Sequence, residues 1–111
     1  MIGRIWRCQV DPARMKEYEM FETHESLPMF LRQSGLVAVL FGRTQKECTA
    51  FSIWNDTQSI DALSKSETYI ATVKKLESSG MLAGDQTVET MEITGGYLPA
   101  AMTERPRETL M

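Results

Sequence analysis

Residues 50 to 69, AFSIWNDTQSIDALSKSETY, constrain the fold more than any other stretch of this chain. Phe51, Ile53 and Trp54 read as the end of a strand. Asn55 and Asp56 stop it and offer the side-chain oxygens that cap a helix N-terminus. Ile60 and Leu63, three apart, then begin the inward stripe of a helix. A strand that hands over directly to a helix, with an indole at the joint, sets the order of the layers and marks the expected place of a pocket.

The elements on either side repeat this alternation. IGRIWRCQV, residues 2 to 10, reads as a strand rich in β-branched and aromatic residues. Asp11-Pro12 is a helix start, an N-cap Asp followed by Pro at the first helical position. The first helix carries Met15, Tyr18 and Phe21 inward, with Arg14, Lys16, Glu17, Glu19 and Glu22 as wet positions. Pro28 is expected to break or kink it, Ser26 to cap a second piece from Leu27 to Gln33, and Gly35 to end that piece in the left-handed conformation. LVAVLFGR, 36 to 43, is a buried strand. Thr44 to Lys46 turn the chain, and residues 47 to 54 return. One helical region is expected over 57 to 79, with Ile60, Leu63, Ile70, Val73 and Leu76 inward. Residues 86 to 93 give a fourth, edge strand. The order β-α-β-β-α-β predicts an α+β, ferredoxin-like fold: a four-stranded antiparallel sheet with its helices on one face.

Strand parity carries the expectation further. In the first strand Ile5 lies on one parity and Ile2, Trp6, Cys8 and Val10 on the other. The second sets Leu36, Ala38 and Leu40 against Val37, Val39 and Phe41. Strands apolar on both faces are covered on both, and the helices of one small domain cover only one. A homodimer packed sheet to sheet is therefore expected.

The chain has 111 residues, enough for one domain, with 42% hydrophobic and 24% charged residues and a net charge of −3. That balance excludes a general nucleic-acid surface, which needs a basic stripe. No run of about 18 apolar residues is present to span a membrane, and MIGRIWRCQV is not a signal peptide, so a cytoplasmic protein is expected. Cys8 and Cys48 read as two reduced core thiols. One His and two Cys fall short of a structural zinc site, and no metal is expected.

Three stretches carry a family resemblance: LPMFLRQSGLVAVLFGR (27–43), SIWNDTQSIDAL (52–63) and SETYIATVKKL (66–76). They resemble the antibiotic-biosynthesis-monooxygenase (ABM) family of dimeric α+β barrels. The likeness implies an ABM-like domain over 1–94, followed by a C-terminal arm, 95–111. It also implies a cofactor-independent, small-molecule oxygenase that holds a flat aromatic or quinone-like compound between sheet and helices. Two catalytic sets found in the family are missing. The Asn four before the tryptophan and the Tyr six after it are Ala50 and Ile60 here. The Trp and iron-ligating His of haem-degrading members are Leu63 and Val73, and the chain's only Asn, Asn55, is not in the first strand. A non-catalytic small-molecule-binding or stress-response dimer is the alternative.

Several side chains remain as candidates. His24, the one histidine, is the catalytic candidate, a general base for a phenol or enol. Trp54 offers a wall for a flat ring, and Tyr69 an inward hydroxyl. Arg4 or Arg7, on opposite parities, can face the pocket as an anion partner while the other pairs with Glu in the dimer interface. Phe21, with Trp54, Tyr69 and Arg4, completes the substrate-binding set. Met20 and Met29 are placed to add adaptable lining.

Overall fold

The computed structural model describes residues 1–45 and 47–99. Its elements are β1 (Ile2–Cys8), a 3-10 turn (Pro12–Arg14), α1 (Met15–Phe21), a π turn (Glu22–Ser26), α2 (Leu27–Leu31), β2 (Leu36–Arg43), β3 (Cys48–Trp54), α3 (Thr57–Lys65), α4 (Glu67–Ser78) and β4 (Thr87–Glu92). The sheet order is β2-β3-β1-β4, every pair antiparallel. This is the ferredoxin-like arrangement expected from the sequence. The last twelve residues of the expected arm lie outside the described residues. No helix is long and apolar enough to cross a membrane among the described residues.

Register assigns the faces. Arg4 pairs with Ser52, Trp6 with Ala50 and Cys8 with Cys48, and all six are buried. These even positions carry the helices. The opposite face presents Gly3, Ile5, Arg7, Phe51, Ile53 and Met91. In β2 a bulge between Leu36 and Ala38 shifts the register. Leu36 therefore packs on the same side as Val39 and Phe41, although strict alternation from Val39 would put it on the other. Part of the two-sided pattern of β2 is thus this bulge. Ala38 and Leu40 still lie on the face without helices, and Leu40 is 39% exposed.

The helices depart from expectation at two places. Pro28 does not break the first helical region, because a π turn precedes it and the chain stays helical from Met15 to Leu31. Ser26 is itself helical and makes no capping bond. The expected single helix over 57–79 is two. Ser66 takes an extended ψ of 130°, ends α3 and caps α4 by accepting from the Tyr69 N–H. Val73 and Leu76 keep their expected inward places, and only the start of the stripe differs. Tyr69 is half-buried and Ile70, expected inside, is 45% exposed. Asp11 and Asp56 cap as expected, onto the N–H groups of Ala13 and Ser59.

Gly35 has φ +82°, and a Cβ there would overlap the Ser59 side chain at the start of α3. Its carbonyl accepts from the Asn55 N–H at 2.9 Å. One glycine thus lets α2 turn back and lets the strand-to-helix joint sit against it. Gly35→Ala combines left-handed strain with overpacking and is expected to cost about 3 kcal/mol of stability, read as a lower midpoint in urea denaturation.

Candidate small-molecule site

Two apolar clusters fill the layer between sheet and helices. One gathers Trp6, Cys8, Tyr18, Phe21 and Leu76; the other gathers Met29, Phe30, Val39, Trp54 and Leu63. The even positions of β1 and β3 also bury a polar pair, Arg4 and Ser52, at 6% and 0% exposure. Ser52 interrupts an inward run of Cys48, Ala50 and Trp54. Its hydroxyl takes the Trp54 indole N–H at 2.8 Å and donates to the Arg4 carbonyl at 3.4 Å.

Arg4 donates from its guanidinium to the Tyr69 hydroxyl at 2.8 Å, and its guanidinium carbon lies 5.4 Å from the centre of that ring. Tyr69 is in place because of the helix restart. The Gln33 side-chain amide, at the end of the first helical region, reaches Ser66 Oγ at 3.3 Å and Thr68 Oγ1 at 3.2 Å. This tether holds the first turn of α4 over β1. Arg4 makes none of the ion pairs among the described residues, which belong to Arg7, Arg14, Arg43 and Lys75. Among the described residues Arg4 is thus a buried cation without a carboxylate partner. Withdrawing such a charge from water costs several kcal/mol unless it is paired. The Tyr69 oxygen accepts from Arg4 and retains its own hydrogen to donate. Guanidinium and phenol thus stand side by side as a pair of hydrogen-bond donors. On the flank, Thr90 of β4 lies opposite Arg4. β4 is exposed along its whole length, so the helix layer stops short of it and leaves this side open.

The candidate residues separate. Arg4 and Tyr69 touch, and Trp54 joins them through Ser52. Trp54 itself is fully buried among Phe30, Val39 and Leu63, as a core residue. Phe21 sits in the other cluster, against Trp6 and Cys8. His24 is exposed, lining an outward cleft of about 240 Å³ with Glu25, Met29, Arg32 and Thr68, and it makes no side-chain hydrogen bond among the described residues. Of the expected Met lining, Met29 is buried and Met20 is 60% exposed. Arg7 is on the face without helices and pairs with Glu89 at 3.0 Å and Glu47 at 4.0 Å. Ser52 is not among the residues that the sequence singles out. A lone polar residue at an inward strand position next to a tryptophan is the signal that marks it.

Two further hollows flank the sheet. On the face without helices, Met1, Phe51, Ile53 and Met91 form an apolar groove of about 460 Å³ with residues 93–98. Between α1 and the β2–β3 hairpin, Glu19, Glu22, Phe41, Gly42, Arg43 and Cys48 line a cleft of about 220 Å³. Glu22, expected to be wet, is instead turned toward the sheet. It lies four residues after Tyr18 and next to Phe21, on the buried line that the π turn extends. Burial, then the neighbouring Glu19 charge, push its carboxyl up to about 7, against the pull of Arg43. No group of three or more His, Cys, Asp or Glu is arranged to hold a metal among the described residues.

The folded Glu22 carboxyl holds its proton more tightly than the unfolded one. Its contribution to stability is therefore complete below the ordinary value of 4.5 and is lost as pH rises through about 7. Glu22→Gln is expected to flatten the fall in stability over that window and to be the more stable protein above it. Denaturation midpoints measured from pH 4 to 8 check this, and parallel curves for the two proteins contradict it.

No family model and no curated protein matches the chain by sequence. Solved structures do. A protein of unknown function, NE2512 from Nitrosomonas europaea, superposes with a TM-score of 0.74 at 18% identity, over 89% of this chain and 94% of that one. SnoaB from Streptomyces nogalater, a cofactor-independent oxygenase solved as a mutant, gives 0.70 at 15%, over 86% and 94%. An antibiotic biosynthesis monooxygenase gives 0.70 at 14%, over 86% and 100%. The chain shares the fold of these three proteins, an antibiotic biosynthesis monooxygenase among them, over nearly their full length.

Proposed function

We propose that this chain, with the fold of the ABM proteins, is a homodimeric small-molecule oxygenase whose substrate is a flat, acidic aromatic or quinone-like compound. The observation that carries the reading is Arg4, a buried guanidinium that has no carboxylate partner among the described residues and is backed by Tyr69. A phenolate, enolate or carboxylate would supply the missing charge, with the substrate ring entering from the open β4 side. A cation beside a phenol favours its anion, and an electron-rich anion is the form that passes an electron to dioxygen without a cofactor.

The test separates binding from folding. Replacing a buried charge by an apolar side chain of similar size is often neutral or stabilising. Arg4→Met is therefore expected to keep the melting midpoint while losing thermal stabilisation by aromatic hydroxy-acids and oxygen uptake with a panel of quinols and polyphenols. Unchanged uptake in Arg4→Met contradicts the reading. His24→Ala identifies the source of the base: lost uptake assigns the proton to His24, and retained uptake assigns it to direct ionisation beside Arg4. Ligand stabilisation without product in the unmodified protein favours the alternative, a non-catalytic binding or stress-response dimer. That alternative draws on the apolar residues Ala50, Ile60, Leu63 and Val73, which stand where relatives place catalytic groups.

The dimer is supported by the face without helices. Ile5, Leu40, Phe51, Ile53 and Met91 leave it apolar, with Leu40 and Met91 39% and 45% exposed, and soluble monomers rarely keep such a patch. A second copy packed on the same face would cover it in a two-fold interface. Val39 faces the helices, so Leu40→Glu is the informative change. Sedimentation is expected to give a dimer for the unmodified protein and for Glu19→Lys, and a monomer or insoluble protein for Leu40→Glu. A clean monomer of the unmodified protein at micromolar concentration contradicts this.

A further inference from the structure

Cys8 and Cys48 are direct partners across β1 and β3, both on the helix side of the sheet, both free and both 2% exposed. Residues opposite one another in antiparallel strands have Cα atoms about 4.5–5.5 Å apart, inside the range of about 4.4–6.8 Å that a disulfide spans. The two thiols differ in access. Cys8 is packed inside, its sulfur 3.6 Å from the Tyr18 hydroxyl. Cys48, 3.7 Å from the Met15 sulfur, also lines the cleft of about 220 Å³ that Glu19, Glu22 and Arg43 border. A small solute in that cleft meets Cys48 and not Cys8.

We propose that this pair is an oxidation site for a small hydroperoxide, with Cys48 the sulfur attacked first and Cys8 the resolving thiol. The Cys48 thiolate attacks one peroxide oxygen and the O–O bond breaks. The departing hydroxide takes a proton to become water, and Cys48 is left as a sulfenic acid. Sulfur loses two electrons and the peroxide gains them. Cys8 then gives up its proton, its sulfur attacks Cys48, the S–O bond breaks and a second water leaves. Two thiols and one hydrogen peroxide become one disulfide and two waters.

The surroundings set the rate. Burial pushes both thiols up to about 11. The charges of Glu22 and Glu47 add to this at Cys8, where the Tyr18 hydrogen bond works against it. Glu22 and Glu19 add to it at Cys48, where Arg43 works against it. The thiolate is the reactive form, so oxidation is slow at neutral pH and accelerates about tenfold per pH unit above it. Removing the Glu22 charge is expected to speed it several-fold.

The test uses the full reduced chain and hydrogen peroxide at pH 7, 8 and 9, with peptide mapping by mass spectrometry under non-reducing conditions. The expected product is a Cys8–Cys48 disulfide within one chain, reversed by a dithiol, forming faster at each higher pH and faster still in Glu22→Gln. A dione trap in the unmodified protein is expected to catch Cys48 as sulfenic acid before Cys8. Cys8→Ser is expected to stop at that stage, and Cys48→Ser to leave Cys8 as thiol. A disulfide between chains, first modification at Cys8, or two intact thiols at pH 9 under peroxide that fully oxidises an exposed-cysteine peptide would each overturn the proposal.

Discussion

The layer between sheet and helices must accommodate a guanidinium. β1 runs through the centre of the sheet, and its even positions are the ones that the helices cover. Arg4 falls on that parity, between two apolar clusters. A charge so placed must find compensation locally, and the chain supplies a tyrosine ring, a tyrosine hydroxyl and an open flank. Several otherwise unrelated features serve this arrangement. Ser52 sits inward to hold the Trp54 indole and the Arg4 backbone. Ser66 breaks the helical region so that the inward stripe runs through Tyr69. Gln33 ties that break to the first helical region.

Much of the fold is legible in the sequence because it rests on local chemistry. Asp11-Pro12, Asn55-Asp56 and Gly35 are punctuation whose geometry follows from single residues. The four strands are legible from β-branched runs. Elements that depend on tertiary context are not. Pro28 carries no N–H and reads as an interruption of the helix, but the preceding π turn absorbs the lost bond and also turns Glu22 to the sheet. The split at Ser66 is hidden because Ile60, Leu63, Ile70 and Val73 fit a continuous helix. The structure follows Ser66 as a cap instead and leaves Ile70 outside. The bulge in β2 is equally hidden, since alternation alone cannot distinguish a two-faced strand from a shifted one.

The site is legible residue by residue but not as a constellation. Parity puts Arg4 and Arg7 on opposite faces, and only the register shows that Arg4 is the one under the helices. Trp54 is the most distinctive residue, yet it is fully enclosed in the core. Tyr69 turns its hydroxyl inward as its sequence position suggests, but the helix restart at Ser66 beside it is not legible in the pattern. His24 borders an apolar stripe in sequence but opens onto the outer surface in the fold. Glu22, in a run of glutamates that reads as a solvated face, is instead a carboxyl pushed up by burial.

The proposed oxygenase function turns on Arg4, a buried guanidinium that an organic anion would pair. Nitrogen-15 NMR of the arginine side chains, followed while an aromatic hydroxy-acid is added, tests it most directly. The Arg4 Nε–H resonance, assigned by its loss in Arg4→Met, is predicted to shift saturably while those of Arg7, Arg14 and Arg43 stay in place. An Arg4 resonance that does not move, or arginine resonances that all move together without saturation, would contradict it.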